Sequence, residues 1–346
     1  MSERIDTLGM WDAMLALPEQ VEQSMAAIGT IGGLPNISQL EHVIILGMGD
    51  SGFGGDVAAA SARPFSSLPI VVYGGYLPPS WVGSTTLVIA ISASGTTEET
   101  LESLEAAVES GASLVAVTSG GELESLARRA SAPVLPVVGS APMPRAALGA
   151  MAVPAMLTLE QLGLFPGART WLTDAVQQLK KRRDELSGDA SPAREVARRI
   201  GRTMPIIYGG GVIGTTAAKR WKIAVNHNAK APAFWAQMPE LCHNELVGWG
   251  QHGDVTRQVF TEIQLRHEYE HPQTSRRFQY VEEKTLEVMN DIVSVEAAGE
   301  GPVAQLLDLV MVGDMVSLEL AAVEGLDPGP LPIVDDLKAW LDMAAS

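Results

Sequence analysis

A doubly wound α/β fold in two similar lobes is predicted by three observations. Short apolar runs alternate with helical segments through the first half, an apolar strand entering a glycine turn occurs twice, and a charged helical stretch separates the two occurrences. Runs at 43–46, 69–73, 87–91, 114–117 and 134–138 are continuous rather than alternating, which suits parallel strands buried on both faces. Helical segments at 55–62, 98–109 and 121–130 lie between several of them. Successive strand–turn–helix units make a right-handed parallel sheet whose ligand sits beyond the carboxyl ends of the strands.

Taken in order, the chain divides into four segments. Ile5, Leu8, Trp11, Met14 and Leu15 recur at helical spacing, so 1–35 reads as a helical lead. The first lobe occupies 36–165. In 166–202, Leu172, Ala175, Val176 and Leu179 mark a helix, and Ser191-Pro192-Ala193 starts another. This stretch is expected to connect the lobes, with its run Lys180-Lys181-Arg182-Arg183 on a solvated face. The second lobe spans 203–346. Ile206-Ile207-Tyr208-Gly209-Gly210-Gly211 echoes Ile44-Ile45-Leu46-Gly47-Met48-Gly49, strands are expected at 258–263 and 292–297, and a helix over 303–323 closes the lobe.

Composition narrows the function classes. With 346 residues, 46% hydrophobic and 19% charged, the chain can bury a sizeable core. A net charge of −17 argues against binding nucleic acid or anionic membrane surfaces. No apolar stretch approaches the length of a membrane span, and the start Met1-Ser2-Glu3-Arg4 does not resemble a leader. The single cysteine, Cys242, rules out an internal disulfide and fits a cytoplasmic protein. Any anionic ligand must then be held locally, by backbone N–H groups and a few placed cations.

Gly47-x-Gly49-x-x-Gly52 satisfies the dinucleotide fingerprint between a strand and a helix. The acid expected at the end of the second strand is missing, for that strand ends in Val72-Tyr73-Gly74-Gly75. Gly49-Asp50-Ser51-Gly52 also spells the string around chymotrypsin-type nucleophiles, a coincidence in an α/β setting. A third reading makes Ser51 and nearby amides an anion cradle. Ser92-Ala93-Ser94-Gly95-Thr96-Thr97 supports it, because several hydroxyls and orphan N–H groups meet where a strand ends and a helix begins. The plain alternative is helix capping by Ser94 or Thr96.

The second lobe carries the proton-transfer groups. Val225-Asn226-His227-Asn228-Ala229-Lys230 and Pro239-Glu240-Leu241-Cys242-His243-Asn244-Glu245 hold two imidazoles, two carboxylates and an ammonium. Imidazole exchanges protons near neutral pH with little adjustment. A metal site is disfavoured, since two His sixteen residues apart are not a compact ligand set, and Cys242 reads as a small filler.

These strings, with Pro144-Arg145-Ala146-Ala147-Leu148-Gly149, Arg220-Trp221-Lys222 and Gly325-Leu326-Asp327-Pro328, resemble the bifunctional phosphoglucose/phosphomannose isomerase family from about residue 40 to the end. The resemblance implies two sugar isomerase domains, a homodimer with shared active sites, and no metal or organic cofactor. It implies interconversion of glucose 6-phosphate and mannose 6-phosphate with fructose 6-phosphate through an enediol. Ser51, Ser92, Ser94 and Thr97 would bind the phosphate, with Gly49 against the substrate. Arg145 would stabilise the enediolate charge, Lys338 would assist near the ring oxygen, and His243 would open the ring from the neighbouring subunit.

One departure bears on the chemistry. The family's base is the Glu of an Asn-Glu-Asn-Ala-Lys string, and here His227 stands at that place. Three outcomes are open: His227 serves as the base, Glu240 or Glu245 reaches in, or the site binds sugar phosphate without isomerising it. Asp50 stands where Gly or Ser would be less unfriendly to a phosphate, and opposes anion binding unless it points away or pairs with a base. The function classes are therefore an active isomerase, a non-catalytic phosphosugar-binding or regulatory protein, and an isomerase for another phosphosugar.

Overall fold

The computed structural model describes residues 4–344. Helices α1 (Met10–Leu15) and α2 (Leu17–Ala27) precede a parallel sheet of β1 (His42–Leu46), β2 (Ile70–Tyr73), β3 (Thr86–Ile91), β4 (Ser113–Thr118) and β5 (Val134–Pro136). Helices α3 (Gly49–Ala62), α4 (Glu98–Glu109) and α5 (Gly121–Arg129) connect these strands, and α6 (Leu148–Gln161), α7 (Ala168–Ser187) and α8 (Pro192–Ile200) follow. A second parallel sheet contains β6 (Met204–Gly210), β7 (Phe234–Met238), β8 (Phe260–Arg266) and β9 (Asp291–Glu296). Its helices are α9 (Gly211–Ala224), α10 (Glu245–Gly248), α11 (Gly253–Val259), α12 (Pro272–Thr285), α13 (Pro302–Val323) and α14 (Pro332–Ala344).

The strand orders are β2-β1-β3-β4-β5 and β7-β6-β8-β9, the same doubly wound order in each sheet. Every strand pair is parallel, and Leu46 lies level with Ala90, so the ends of β1 and β3 open side by side. Connections leave these neighbours in opposite directions, which creates a crevice there. The anticipated phosphate turns, after β1 and after β3, flank that crevice.

One apolar core takes in the inner face of each sheet. Val43, Ile45 and Ile89 of the first and Ile207, Ile263 and Leu265 of the second belong to it, with α3, α6, α9 and α13 packed between. Two smaller clusters cover the outer faces, one around Val88 and Leu104, the other around Tyr208 and Phe278. Helix α13 is apolar nearly all round because it lies in the middle layer, buried from Val303 to Ala321. Among the described residues, no helix is long and apolar enough to cross a membrane.

Several elements differ from the sequence expectation. The strand expected at 258–263 runs Phe260–Arg266, because α11 continues through Val259. The strand expected to 138 stops at Pro136, level with Thr118 where its partner β4 ends. Edge strand β7 was not anticipated, since Phe234 and Trp235 are exposed and prolines flank the segment. Nor is the basic run simply solvated. Arg182 makes a two-pronged pair with buried Asp308 at 2.8 Å on both arms, while Lys180 and Arg183 pair with Glu22 and Glu19 of α2.

Gly313 of α13 packs directly on Trp221 of α9 in the middle layer. A Cβ at residue 313 would stand 2.3 Å from the indole, which is fully buried and donates to Leu309 O at 2.8 Å. The ring has no room to yield. Gly313→Ala is therefore expected to destabilise the protein by about 1–3 kcal/mol despite alanine's better helix propensity. A lower urea midpoint at unchanged slope would show this; an equal or higher midpoint would contradict the packing described.

Candidate active site

The site begins with the turn after β1. A Cβ at Gly52 would meet Gly47 O at 2.5 Å, so the chain folds back tightly enough to start α3 at Gly49, earlier than the sequence suggested. Asp50 and Ser51 thereby sit in the first turn of a helix at the crevice. The turn after β3 is equally tight. Gly95 has φ 70°, and a Cβ there would stand 1.9 Å from Gly120 O, which selects glycine on both conformational and steric grounds.

Between these turns the hydroxyls gather. Ser92 Oγ lies 3.0 Å from Thr97 Oγ1 and accepts from Gly95 N at 3.1 Å. Ser51 Oγ accepts from Ala93 N at 3.4 Å, linking the two turns. Ser94 Oγ accepts from Thr96 N at 3.3 Å and from the Thr96 hydroxyl at 3.1 Å, on the exposed side. Helix α4 begins after Thr97 without a side-chain cap, so these hydroxyls are not absorbed by capping. The first N–H groups of a helix have no intrahelical partner, which suits an anion. Gly49, with φ 53°, lies on the opposite turn.

The second lobe closes the crevice with a π-helical turn, Val225–Ala229, continuing α9. The wider turn offsets His227 from the preceding helix, a local distortion often found at functional sites. Lys230 then ends it in the left-handed conformation, with φ 55°. Its ammonium donates to His227 O at 2.6 Å and Pro328 O at 2.9 Å. Burial and the nearby Arg145 charge push the Lys230 amine down to about 8.

His227 faces the first turn of α3, its Nδ1 standing 3.7 Å from Asp50 Oδ2. That nitrogen is buried and has no hydrogen-bond partner among the described residues. Burial holds the imidazole below the usual histidine range, with Asp50 opposing and Arg145, Arg220 and Lys230 reinforcing the shift. The ring is thus neutral at pH 7 and able to accept a proton.

Two buried arginines frame this pair. Arg145, 2% exposed, donates from Nε to Asn228 Oδ1 at 2.9 Å and from Nη2 to the carbonyls of Pro328 and Gly329, each at 2.6 Å. Nη1 is its only guanidinium nitrogen without a partner among the described residues. Arg220, 1% exposed, meets Asp314 through Nε at 2.7 Å and Nη2 at 3.0 Å. It also donates from Nη1 to Asp50 Oδ1 at 3.0 Å and from Nη2 to Arg145 O at 2.7 Å. Burial works against the Arg220 charge, but Asp314 and Asp50 outweigh it and hold the guanidinium above its ordinary value.

Arg145, His227, Ser51, Ser92 and Thr97 are therefore brought to one crevice. His243 is not. It ends the exposed 3₁₀ turn Glu240–His243 beyond β7 and makes no side-chain hydrogen bond or ion pair among the described residues. Glu240 accepts from Asn244 at 3.1 Å and Glu245 from the Tyr208 hydroxyl at 2.5 Å, so both carboxylates are held within the second lobe. Lys338 lies on α14, and its side chain is outside the described residues. Among the described residues no group of three or more His, Cys, Asp or Glu is placed to hold a metal.

Sequence reasoning assigned no role to Arg220, Asp314 or Asn228. Asp314 carried a readable signal, a carboxylate inside an apolar helical run. A buried charge there demands a cation. Arg220→Met would leave Asp314 buried without its counter-ion and is expected to cost about 3–5 kcal/mol. Urea denaturation checks this, and a loss below about 1 kcal/mol would contradict the buried pairing.

The comparisons agree with this architecture. Residues 189–341 match the bacterial phospho-glucose isomerase C-terminal SIS domain, and residues 36–158 match the SIS domain. The bifunctional phosphoglucose/phosphomannose isomerase of Caldicellulosiruptor bescii is 30% identical over 335 residues, 95% of this chain and 98% of its own. The protein of the same name from Aquifex aeolicus is 31% identical, covering 88% and 92%. In structure, the C-terminal domain of glucosamine-fructose-6-phosphate aminotransferase from Francisella tularensis superposes with a TM-score of 0.70 at 15% identity, over 93% of this chain and 98% of that one. With sequence similarity at this level along almost its whole length, and the doubly wound lobes to match, the chain belongs to the bifunctional phosphoglucose/phosphomannose isomerase family.

Proposed function

We infer that this protein is a sugar-phosphate isomerase interconverting glucose 6-phosphate, mannose 6-phosphate or both with fructose 6-phosphate, by enediol proton transfer without a metal or organic cofactor. The observation that carries this reading is the seating of neutral His227 beside the hydroxyl-lined turns at the ends of β1 and β3. Ser51, Ser92, Ser94 and Thr97 hold the phosphate, with Gly49 against the substrate. His227, at the family's base position, moves the proton between C2 and C1. Arg145 supplies the adjacent positive charge, with Nη1 free to meet the enediolate oxygen.

The site is shared in a homodimer, where His243 of each subunit opens the ring in the other and Lys338 assists near the ring oxygen. Exposed apolar groups support an interface between copies. Val247, four residues beyond His243, is 82% exposed, and Phe234 and Trp235 lie open on edge strand β7. Ile333, Leu337 and Trp340 of α14 are also exposed. Four segments serve this assembly: a helical lead at 1–35, isomerase domains at 36–165 and 203–346, and the helical connection at 166–202. The protein acts in the cytoplasm, where Cys242 stays reduced.

The test is incubation with each of the three hexose phosphates in deuterated water, following label at C1 and C2 by NMR, alongside calorimetric binding. Exchange with at least one substrate is expected, and its loss in His227→Ala. Binding without exchange for all three would replace this reading with a non-catalytic phosphosugar-binding protein. Exchange only with a different phosphosugar would move the substrate within the same chemistry.

A further inference from the structure

Asp50 is a charge that phosphate binding does not explain. It stands in the first turn of α3 beside Ser51, where a carboxylate opposes a bound anion. Yet its position is closely determined. Oδ1 receives Arg220 Nη1 at 3.0 Å, while Oδ2 is directed toward His227 Nδ1 at 3.7 Å. The histidine side is complementary, because Nδ1 is buried with no partner among the described residues and a buried N–H without an acceptor is costly. His227 and Asp50, two of the positions that depart from the pattern the resemblance implies, thus face each other.

Resting on the isomerase reading above, we propose that Asp50 is a positioning residue for the reaction, forming with His227 a carboxylate–imidazole pair that replaces the family's single Glu. An approach of roughly 1 Å brings Nδ1–H into charge-assisted hydrogen-bond range of Oδ2. This fixes the tautomer that leaves the Nε2 lone pair toward the substrate. Nε2 takes the proton from C2 of the open-chain aldose, the C2–H electron pair becomes the C1=C2 bond, and the carbonyl pair moves onto O1. O1 gains the proton of the O2 hydroxyl, the imidazolium returns its proton to C1, and O2 becomes the carbonyl. The Asp50 carboxylate faces the transient imidazolium and offsets its charge.

The charges around the ring explain why such a partner is needed. Arg145 from the turn before α6, Arg220 from α9 and Lys230 after the π-turn all disfavour an imidazolium, and Asp314 of α13 faces Arg220 rather than the histidine. Asp50 is the carboxylate that favours it. Neutralising Asp50 must therefore move the His227 titration further below the usual histidine range.

Asp50→Asn, Asp50→Gly, His227→Glu and the double variant Asp50→Gly/His227→Glu test this together. Asp50→Asn is expected to lower kcat about 10²-fold, the scale of general-base assistance, without raising KM. The acid limb of kcat/KM should move to lower pH, and the His227 ring signal in NMR should titrate at lower pH than in the wild type. His227→Glu alone sets two carboxylates against each other and should be poor, whereas the double variant should exceed both of its parent variants. That recovery separates pairing from stability, because the double variant also lacks the Asp50–Arg220 contact. An unchanged His227 titration in Asp50→Asn would overturn the proposal even if the wild type proves inactive. So would an unchanged kcat, or a double variant no better than His227→Glu. Absence of exchange in the wild type would instead count against the isomerase reading.

Discussion

The burial of Arg220 is the interaction on which the rest of the site depends. A guanidinium without water is tolerated only when its charge is matched and its donors are used. Asp314 supplies two of the bonds, Asp50 one, and the carbonyl of Arg145 another. Those partners come from α13, from the first turn of α3, and from the turn that presents the second arginine. One side chain of α9 therefore fixes the crevice to both lobes. The order Asp314, Arg220, Asp50, His227 alternates potential charge from the middle of the core to the open end of the site.

This order explains how a carboxylate can stand near the hydroxyl-lined turn after β3. Its charge is engaged on one side by a buried cation and directed on the other toward an imidazole, rather than toward the hydroxyls of Ser92 and Thr97. The π-turn is the local device that allows it. Continuing α9 as a regular helix would rotate and shift His227, whereas the wider turn and left-handed Lys230 redirect the chain. Lys230 and Arg145 both donate to the Pro328 carbonyl, so the segment leading to α14 is tied to the same turn.

Much of the frame was legible in the sequence because buried parallel strands write themselves as short continuous apolar runs. All six residues of β3 are buried, and the predicted run misses only Thr86. The glycine turns after β1 and β3 were legible for a related reason, since Gly52 and Gly95 sit where any side chain would collide with backbone. Edge strand β7 was less visible because its exposed aromatics break the pattern. The Asp50–His227 and Arg220–Asp314 pairings could not be read locally. Their members are far apart in the chain and meet only because α3, α9 and α13 share one layer. In the sequence Asp50 and His227 stand apart as two separate charged or titratable groups, and the fold makes them neighbours.

The central claim is that neutral His227 presents Nε2 as a base because Nδ1–H is directed to Asp50. Nitrogen-15 NMR of selectively labelled histidine, assigned by comparison with His227→Gln, reads the tautomer directly. At pH 7 with a phosphosugar bound, the account predicts a neutral ring protonated on Nδ1 and unprotonated on Nε2. A neutral ring carrying its proton on Nε2 would contradict it.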